Sequence, residues 1–208
     1  MNKSFQFYTI NQSASAEYKE RNSKFIAYAY PFQNKNELKN HIDGLKKIHT
    51  KATHFCFAYR IGNDGSQFRS SDNGEPSGTA GKPILGQIDK YQLSDILIIV
   101  VRYFGGTLLG TAGLTNAYKT SAALVLQMLP VITKNIEIHY HLHFPYERIN
   151  EIMQVLKESN ARILQQELML FCKLDIFIPL NNVQPFLSKT QFIQGLELLE
   201  MKEAEEKR

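Results

Sequence analysis

The chain contains no tryptophan and only two cysteines, Cys56 and Cys172, in separate strand-like segments. A disulfide-stapled secreted scaffold is thereby excluded, and two buried, reduced thiols are the simpler expectation. No long hydrophobic run is present: the longest, Ile96 to Val101, is six residues, against the ~20 that a membrane-spanning helix needs. The opening residues Met1-Asn2-Lys3-Ser4-Phe5-Gln6 lack the apolar stretch of a secretory signal. A cytoplasmic, non-membrane protein is expected.

Two familiar nucleotide-binding signatures are also missing. A phosphate-binding loop needs Gly, four residues, then Gly-Lys-Ser/Thr. Here Gly81-Lys82 is followed by Pro83, and Pro76 stands at the first glycine position. The dinucleotide pattern Gly-x-Gly-x-x-Gly fails at Gly110-Thr111-Ala112. Neither an NTPase nor a dehydrogenase is expected, and no cofactor is implied.

What the chain does have is two glycine-rich loops. The first runs from Ser71 and Asp72 through Gly74-Glu75-Pro76-Ser77-Gly78-Thr79-Ala80-Gly81 to Lys82 and Pro83. The second runs Arg102-Tyr103-Phe104-Gly105-Gly106-Thr107-Leu108-Leu109-Gly110. Each follows an expected strand and opens an expected helix. Glycine permits close backbone approach, and a helix start offers unpaired N–H groups and a positive dipole end. Two such loops point to one recognition surface.

Charge is uneven. Residues 1–135 hold 16 Lys and Arg against 9 Asp and Glu, or +7; residues 136–208 hold 8 against 11, or −3. A basic half is what an anionic partner requires. The closing Lys202 to Arg208 is expected to be a solvated tail.

Hydrophobic period and turn chemistry order the chain. Arg21-Asn22-Ser23 reads as a turn before a strand over Phe25 to Tyr30. From about Asn36 a helix carries Leu38, Ile42, Leu45 and Ile48 on one face. Strands over Thr53 to Ile61 and Gln67 to Ser71 flank Gly62-Asn63-Asp64-Gly65, a hairpin signal. A helix over about Thr79 to Tyr91 accommodates Pro83 only in its first turn. Ile96 to Val101 is a strand buried on both faces, and a long helix spans about Thr111 to Leu129. Residues 130–135 read as a linker. Beyond it a strand with apolar Ile136, Ile138, Tyr140, Leu142 and Phe144, a helix, two strands, a short helix and a last strand give the order βαββαβ, the ferredoxin-like plan. The domains are placed at 1–133 and 134–208.

Several residues could carry chemistry. Asp72 and Glu75 could hold a magnesium ion or act as acid and base; equally, Asp72 starts a turn and Glu75 complements a helix N-terminus. Nothing else in the chain completes a metal site beside them, which favours the second reading. Arg102 could aim its fork at phosphate or carboxylate, or lock the loop by pairing with Asp72 or Glu75. His54, Cys56, Ala58 and Arg60 share one strand face, but a core thiol and a satisfied histidine fit better than a nucleophile pair. His139, His141 and His143 share the open face of the second domain, where polar exposure explains them without metal.

The two loops together resemble the YigZ/IMPACT family. The matching stretches include Ser23-Lys24-Phe25-Ile26, Ala52-Thr53-His54, Ala58-Tyr59-Arg60, Gly74 to Gly81 with Pro83-Ile84-Leu85, Val101 to Gly106, Leu109-Gly110, Gly113-Leu114 and Ala117-Tyr118. The resemblance implies an α+β protein: an N-terminal ribosomal-protein-type βαβ domain, as in elongation factor G, and a C-terminal ferredoxin-like domain. It implies a link to translation, because the eukaryotic members restrain the general-control kinase of amino-acid starvation by competing for its activator. It implies no accepted catalytic residues. Three positions depart from the family pattern: Asn73 stands where a second aspartate is usual, Leu108 replaces a lysine and Asn116 an arginine. The last two losses lower the case for phosphate contact there.

The expectation is therefore a non-enzymatic binding protein of translation or its regulation. Its contact residues for RNA, the ribosome or a translation factor are Arg60, Asp72, Gly74, Glu75, Pro76, Ser77, Gly78, Thr79, Lys82, Arg102, Gly105, Gly106 and Gly110. Arg60, Lys82 and Arg102 would meet phosphate. The alternatives are a hydrolase or group transferase using Asp72, Glu75 and His54, and a protein-interaction module that binds no nucleic acid.

Overall fold

A computed structural model describes residues 5–201; the expectations for Met1 to Ser4 and for the Lys202–Arg208 tail fall outside them. Along the chain lie β1 (Gln6–Thr9), β2 (Ala14–Glu20), β3 (Ser23–Pro31), α1 (Leu38–Ile48), β4 (His54–Ile61), β5 (Gln67–Ser71), α2 (Gly81–Lys90), β6 (Ile96–Tyr103) and α3 (Gly110–Gln127). Then follow β7 (Ile132–Asn135), β8 (Glu137–Pro145), α4 (Ile149–Glu158), β9 (Arg162–Glu167), β10 (Phe171–Pro179), α5 (Val183–Thr190) and β11 (Glu197–Glu200). Two compact units result. One is Phe7–Lys134; the other holds, of the described residues, Phe5 and Gln6 together with those from Asn135 to Met201.

The first unit is built on a five-stranded sheet in the order β2-β3-β6-β4-β5, each neighbouring pair antiparallel. Two connections nevertheless join parallel strands: β3-α1-β4 passes over β6, and β5-α2-β6 passes over β4. That is the βαβ element of the expected fold. β6 lies in the middle, and Ile96 to Val101 are all fully buried. Each such side chain is worth roughly 1.5–3 kcal/mol relative to exposure, which is why an unbroken apolar run occupies the centre rather than an edge.

Alternation along the strands assigns the two faces. Phe25, Ala27, Ala29, Cys56, Ala58, Ile98 and Val100 pack with Ile84 and Ile88 of α2 and with Leu114, Tyr118, Ala122 and Val125 of α3. Phe55, Phe57, Tyr59, Leu97, Ile99 and Val101 pack on the other side with Leu45, Leu38 and Ile42 of α1. Ile48, expected on that apolar face, is instead 71 % exposed at the last position of α1.

Two further differences from the sequence reading concern turns and ends. Residues 130–135 are not simply a linker, because β7 pairs with β1 in a two-stranded sheet. Neither four-residue strand is long enough to show a period. The Arg21-Asn22 turn has φ of 44° and 65°, the left-handed pair a tight hairpin demands, so a strand, β2, precedes it.

The second unit has sheet order β11-β8-β10-β9, all antiparallel. Numbered within the unit the order is 4-1-3-2, with α4 and α5 supplying Ile152, Leu156 and Phe186 to the core beside Tyr140, Leu142, Phe144 and Ile176. This is the ferredoxin-like plan. On the other face, His139 Nε2 and His141 Nδ1 lie 3.4 and 3.0 Å from Asp175 Oδ1, and His143 Nδ1 lies 3.5 Å from Glu197. Among the described residues no group of three or more such side chains is placed to share a metal ion. No described helix is long and apolar enough to cross a membrane.

Candidate functional site

Strand register brings the site together. Arg102, near the end of β6, lies opposite Phe25 of β3 and His54 of β4. All three point to the face covered by α2 and α3, because they continue the alternation of Val100, Ala27 and Cys56. Where the sheet ends, the first loop enters from β5 and the second leaves β6.

Glu75 of the first loop turns inward. Arg102 Nη1 donates to Glu75 Oε1 at 2.6 Å, and the Tyr118 hydroxyl of α3 donates to the same oxygen at 2.8 Å. The Glu75 and Arg102 side chains are 3 % and 5 % exposed. The Arg102 guanidinium also stands 5.4 Å from the Phe25 ring centre and 5.6 Å from that of Phe104, so aromatic faces complete its surroundings. Of the two roles weighed for Arg102, pairing with Glu75 is the one observed. Its charge is spent inside the protein, not offered to phosphate. A buried arginine next to a buried carboxylate is held there because separating them would strand two charges away from water.

Asp72 is engaged as well. Its carboxylate accepts from the N–H of Gly78 at 2.8 Å, Ala80 at 3.0 Å and Gly81 at 2.8 Å, capping the start of α2. Burial alone would raise its pKa, but those N–H bonds and Lys82 outweigh it and hold the carboxyl below the usual range. This cap also explains why α2 starts at Gly81 rather than Thr79: the preceding N–H groups point at Asp72. Thr79 closes the loop by donating its hydroxyl to Pro76 O at 2.6 Å.

Asn73, the departure from the family's second aspartate, has a structural task. It has φ 42°, a conformation Asn tolerates. Its Oδ1 accepts from Phe55 N at 2.8 Å, and its carbonyl lies 2.9 Å from His54 Nδ1. A carbonyl only accepts, so Nδ1 carries the hydrogen. The other nitrogen, Nε2, faces Glu75 Oε1 at 3.9 Å.

Cys56 is inert core. It is fully buried, and its thiol lies 2.9 Å from the Asp72 carbonyl and 3.2 Å from the Tyr118 hydroxyl. Burial pushes its pKa up to about 12. Burial, and then Cys56 and Glu75, push the Tyr118 hydroxyl up as well, so it remains a donor to Glu75. Tyr118 was no candidate from sequence. Two signals were available: Tyr118 lies in a family-matching stretch, and its hydroxyl falls on the buried, mostly apolar face of α3, where it must find a partner.

The two loops enclose a pocket of about 450 Å³. Its floor is Thr53, His54, Glu75 and Arg102. Its walls are Pro76, Phe104, Leu108, Leu109 and Leu114, and Gly110 and Thr111 at the start of α3 complete it. Of the sequence candidates, Glu75, Pro76, Arg102 and Gly110 line this pocket. Asp72, Gly74, Gly78 and Thr79 shape the first loop behind it, and Ser77 is exposed on its outside. Gly105 packs against the backbone of Asn22 and Ser23, where any Cβ would overlap; Gly106, with φ 83°, is exposed. Lys82 is exposed on α2 and does not line the pocket. Arg60 does not either: it sits six residues along β4 from His54, roughly 20 Å away, where it pairs with Asp89 at 2.5 Å and donates to Gly65 O.

Both loops fall within residues 21–126, the stretch that matches the Impact N-terminal domain. The chain belongs to the IMPACT family. It is 33% identical over 187 residues to the IMPACT family member YigZ of Escherichia coli K12, covering 88% of this chain and 92% of that one. It is 35% identical over 153 residues to the IMPACT family member YvyE of Bacillus subtilis strain 168, covering 74% and 70%. A crystal structure described as that of a hypothetical protein superposes with a TM-score of 0.73 at 30% identity, over 96% of this chain and 99% of that one. The IMPACT likeness thus spans both units, while the matched domain contains the whole pocket.

Proposed function

We propose that this IMPACT protein is a non-catalytic binding protein of translational control in the cytoplasm, and that the two-loop pocket is where it takes hold of a protein component of the translation machinery. The observation that carries the reading is the convergence of two distant loops on one apolar-walled pocket whose charged floor is already neutralised within the chain. Family membership supplies the tie to translation.

A protein partner fits better than a nucleic-acid backbone. Among the described residues Arg102 is the sole Lys or Arg lining the pocket, and it is paired with Glu75. Phosphate recognition needs several uncommitted cations. The enzyme alternative loses force for a related reason. Asp72 accepts three backbone N–H bonds, and Glu75 accepts from Arg102 and Tyr118, so neither carboxylate stands free for proton transfer.

The test is capture of partners from a lysate by the tagged full chain, with and without nuclease, alongside Leu108→Asp. Leu108 is 82 % exposed, so the variant should fold normally. Expected is a ribosomal protein or translation factor that survives nuclease and is lost with Leu108→Asp. Capture that nuclease abolishes, or that Leu108→Asp leaves untouched, overturns the reading. Salt-dependent filter binding of structured RNA would restore the nucleic-acid version.

A further inference from the structure

His54 stands on the pocket floor with one ring nitrogen committed and the other open. Its Nδ1 carries the hydrogen that goes to the Asn73 carbonyl at 2.9 Å. Gly74 packs against the same side of the ring, where a Cβ would come within 3.3 Å of Nδ1. The ring is thereby fixed from behind, and Nε2 is left as a lone-pair acceptor. Among the described residues nothing donates to it. Glu75 Oε1, at 3.9 Å, is itself an acceptor and lies beyond hydrogen-bond reach.

Nε2 is accessible as well as unpaired. The buried side-chain nitrogens and oxygens without a partner among the described residues are Arg102 Nε, His139 Nε2 and Ser159 Oγ. His54 Nε2 is not one of them, so solvent reaches it; the side chain is 23 % exposed and lines the pocket. Its polar neighbours on the floor are engaged. Thr53 donates its hydroxyl to the Arg102 carbonyl at 3.1 Å, and Arg102 donates to Glu75. Above them, Phe104 and Leu108 leave large apolar side chains exposed on the wall.

We infer that the pocket takes an indole, the side chain of a tryptophan on the partner protein, with its N–H on His54 Nε2 and its rings against Phe104, Leu108 and Leu109. Three features select this group. The ligand is neutral, because Glu75 and Arg102 already balance one another and apolar walls offer a further charge no counterion. It donates without accepting, because Nε2 and the Glu75 carboxylate both present lone pairs; an indole N–H only donates, whereas a phenol oxygen would turn a lone pair toward Glu75. It is large and flat, because about 450 Å³ beside the Phe104 ring suits an aromatic body, and tryptophan is among the residues that most often anchor interfaces from such pockets. The chain has no tryptophan of its own, so a second copy cannot supply the group. This rests on the binding reading above and names the partner side chain.

The experiment is a nuclear magnetic resonance titration of the ¹⁵N-labelled full chain with N-acetyl-tryptophanamide, its indole-N-methyl derivative, N-acetyl-tyrosinamide and free tryptophan. In the free chain His54 is expected to show Nδ1 protonated and Nε2 bare. N-acetyl-tryptophanamide should move the Nε2 signal and the Phe104 and Leu108 amides. It should bind about fivefold tighter than the methylated form, the worth of one hydrogen bond. His54→Leu should abolish that difference, and Leu108→Asp should weaken both ligands. If His54→Leu does not fold, the comparison of the two indoles on the natural chain still decides. A protonated Nε2 in the free chain, equal affinity for the indole and its methylated form, equally tight tyrosine amide, or no shift up to the solubility limit overturns the inference. Free tryptophan binding more tightly than the capped amide overturns the assignment to a partner side chain. If the indole fails while nuclease-resistant capture remains sensitive to Leu108→Asp, the binding function stands and only the anchor falls. Indole binding without such capture would do the opposite: the ligand chemistry would stand and the translation partner would fall.

Discussion

The Arg102 guanidinium and the Glu75 carboxylate meet at 2.6 Å across a sequence separation of 27 residues, each side chain almost wholly withdrawn from solvent. The pair ties the first loop to the end of β6 and so holds the pocket floor in place. Removing one member leaves the other charged and buried. Glu75→Gln and Arg102→Met are each expected to cost about 3–5 kcal/mol, read as a lower urea midpoint. The double variant should recover part of that loss. Additive losses in the double-mutant cycle would show that the two groups do not act together.

Asp72 makes a separate contribution at the start of α2. Asp72→Ala is expected to destabilise by roughly 1–2 kcal/mol, as for other lost N-terminal caps. The group's folded pKa lies below its unfolded value near 3.9. Its contribution is therefore fully present above about pH 4 and disappears as pH falls through the folded pKa. Unfolding free energies measured from pH 6 down should fall more steeply for the natural chain than for Asp72→Asn. Parallel curves would refute the assignment.

Cys56, with its pKa raised to about 12, should resist alkylation in the native state, as should the equally buried Cys172. Mass spectrometry after iodoacetamide treatment is expected to find both thiols unmodified until denaturant is added. Rapid native labelling of Cys56 would contradict its place in the core.

Gly105 and Gly106 should respond differently to alanine. At Gly105 the new Cβ would overlap the Asn22–Ser23 backbone, which cannot swing aside; about 3 kcal/mol or more is expected. At Gly106 there is open space, and only the positive φ of 83° is penalised, at roughly 1–2 kcal/mol. Thermal midpoints of the two variants rank them, and a reversed order would mean that the second loop does not rest on the β2–β3 turn.

Much of this protein was legible in local pattern. The alternation from Tyr140 to Phe144, the continuous run Ile96 to Val101, the helical spacing of Leu38, Ile42 and Leu45, and the Gly62 to Gly65 turn all report interactions between near neighbours or burial on a known period. The two glycine loops and their family resemblance were visible for the same reason. The short β1 and β7 were not, because four residues carry no period and their stability comes from pairing with each other. Nor was the role of Tyr118, whose partner lies 43 residues away.

The sequence by itself determined the elements, the α+β class and the presence of two loops able to approach a ligand, since each depends on residue spacing and turn chemistry. Only the tertiary structure decided which charges remain available. Arg60 and Arg102 read alike as free cations along the chain, yet the packing of α2 and of the first loop on the sheet places Asp89 beside Arg60 and Glu75 beside Arg102, 29 and 27 residues away. Those long-range neighbours consume their charge, whereas Asp72 finds its N–H partners within nine residues.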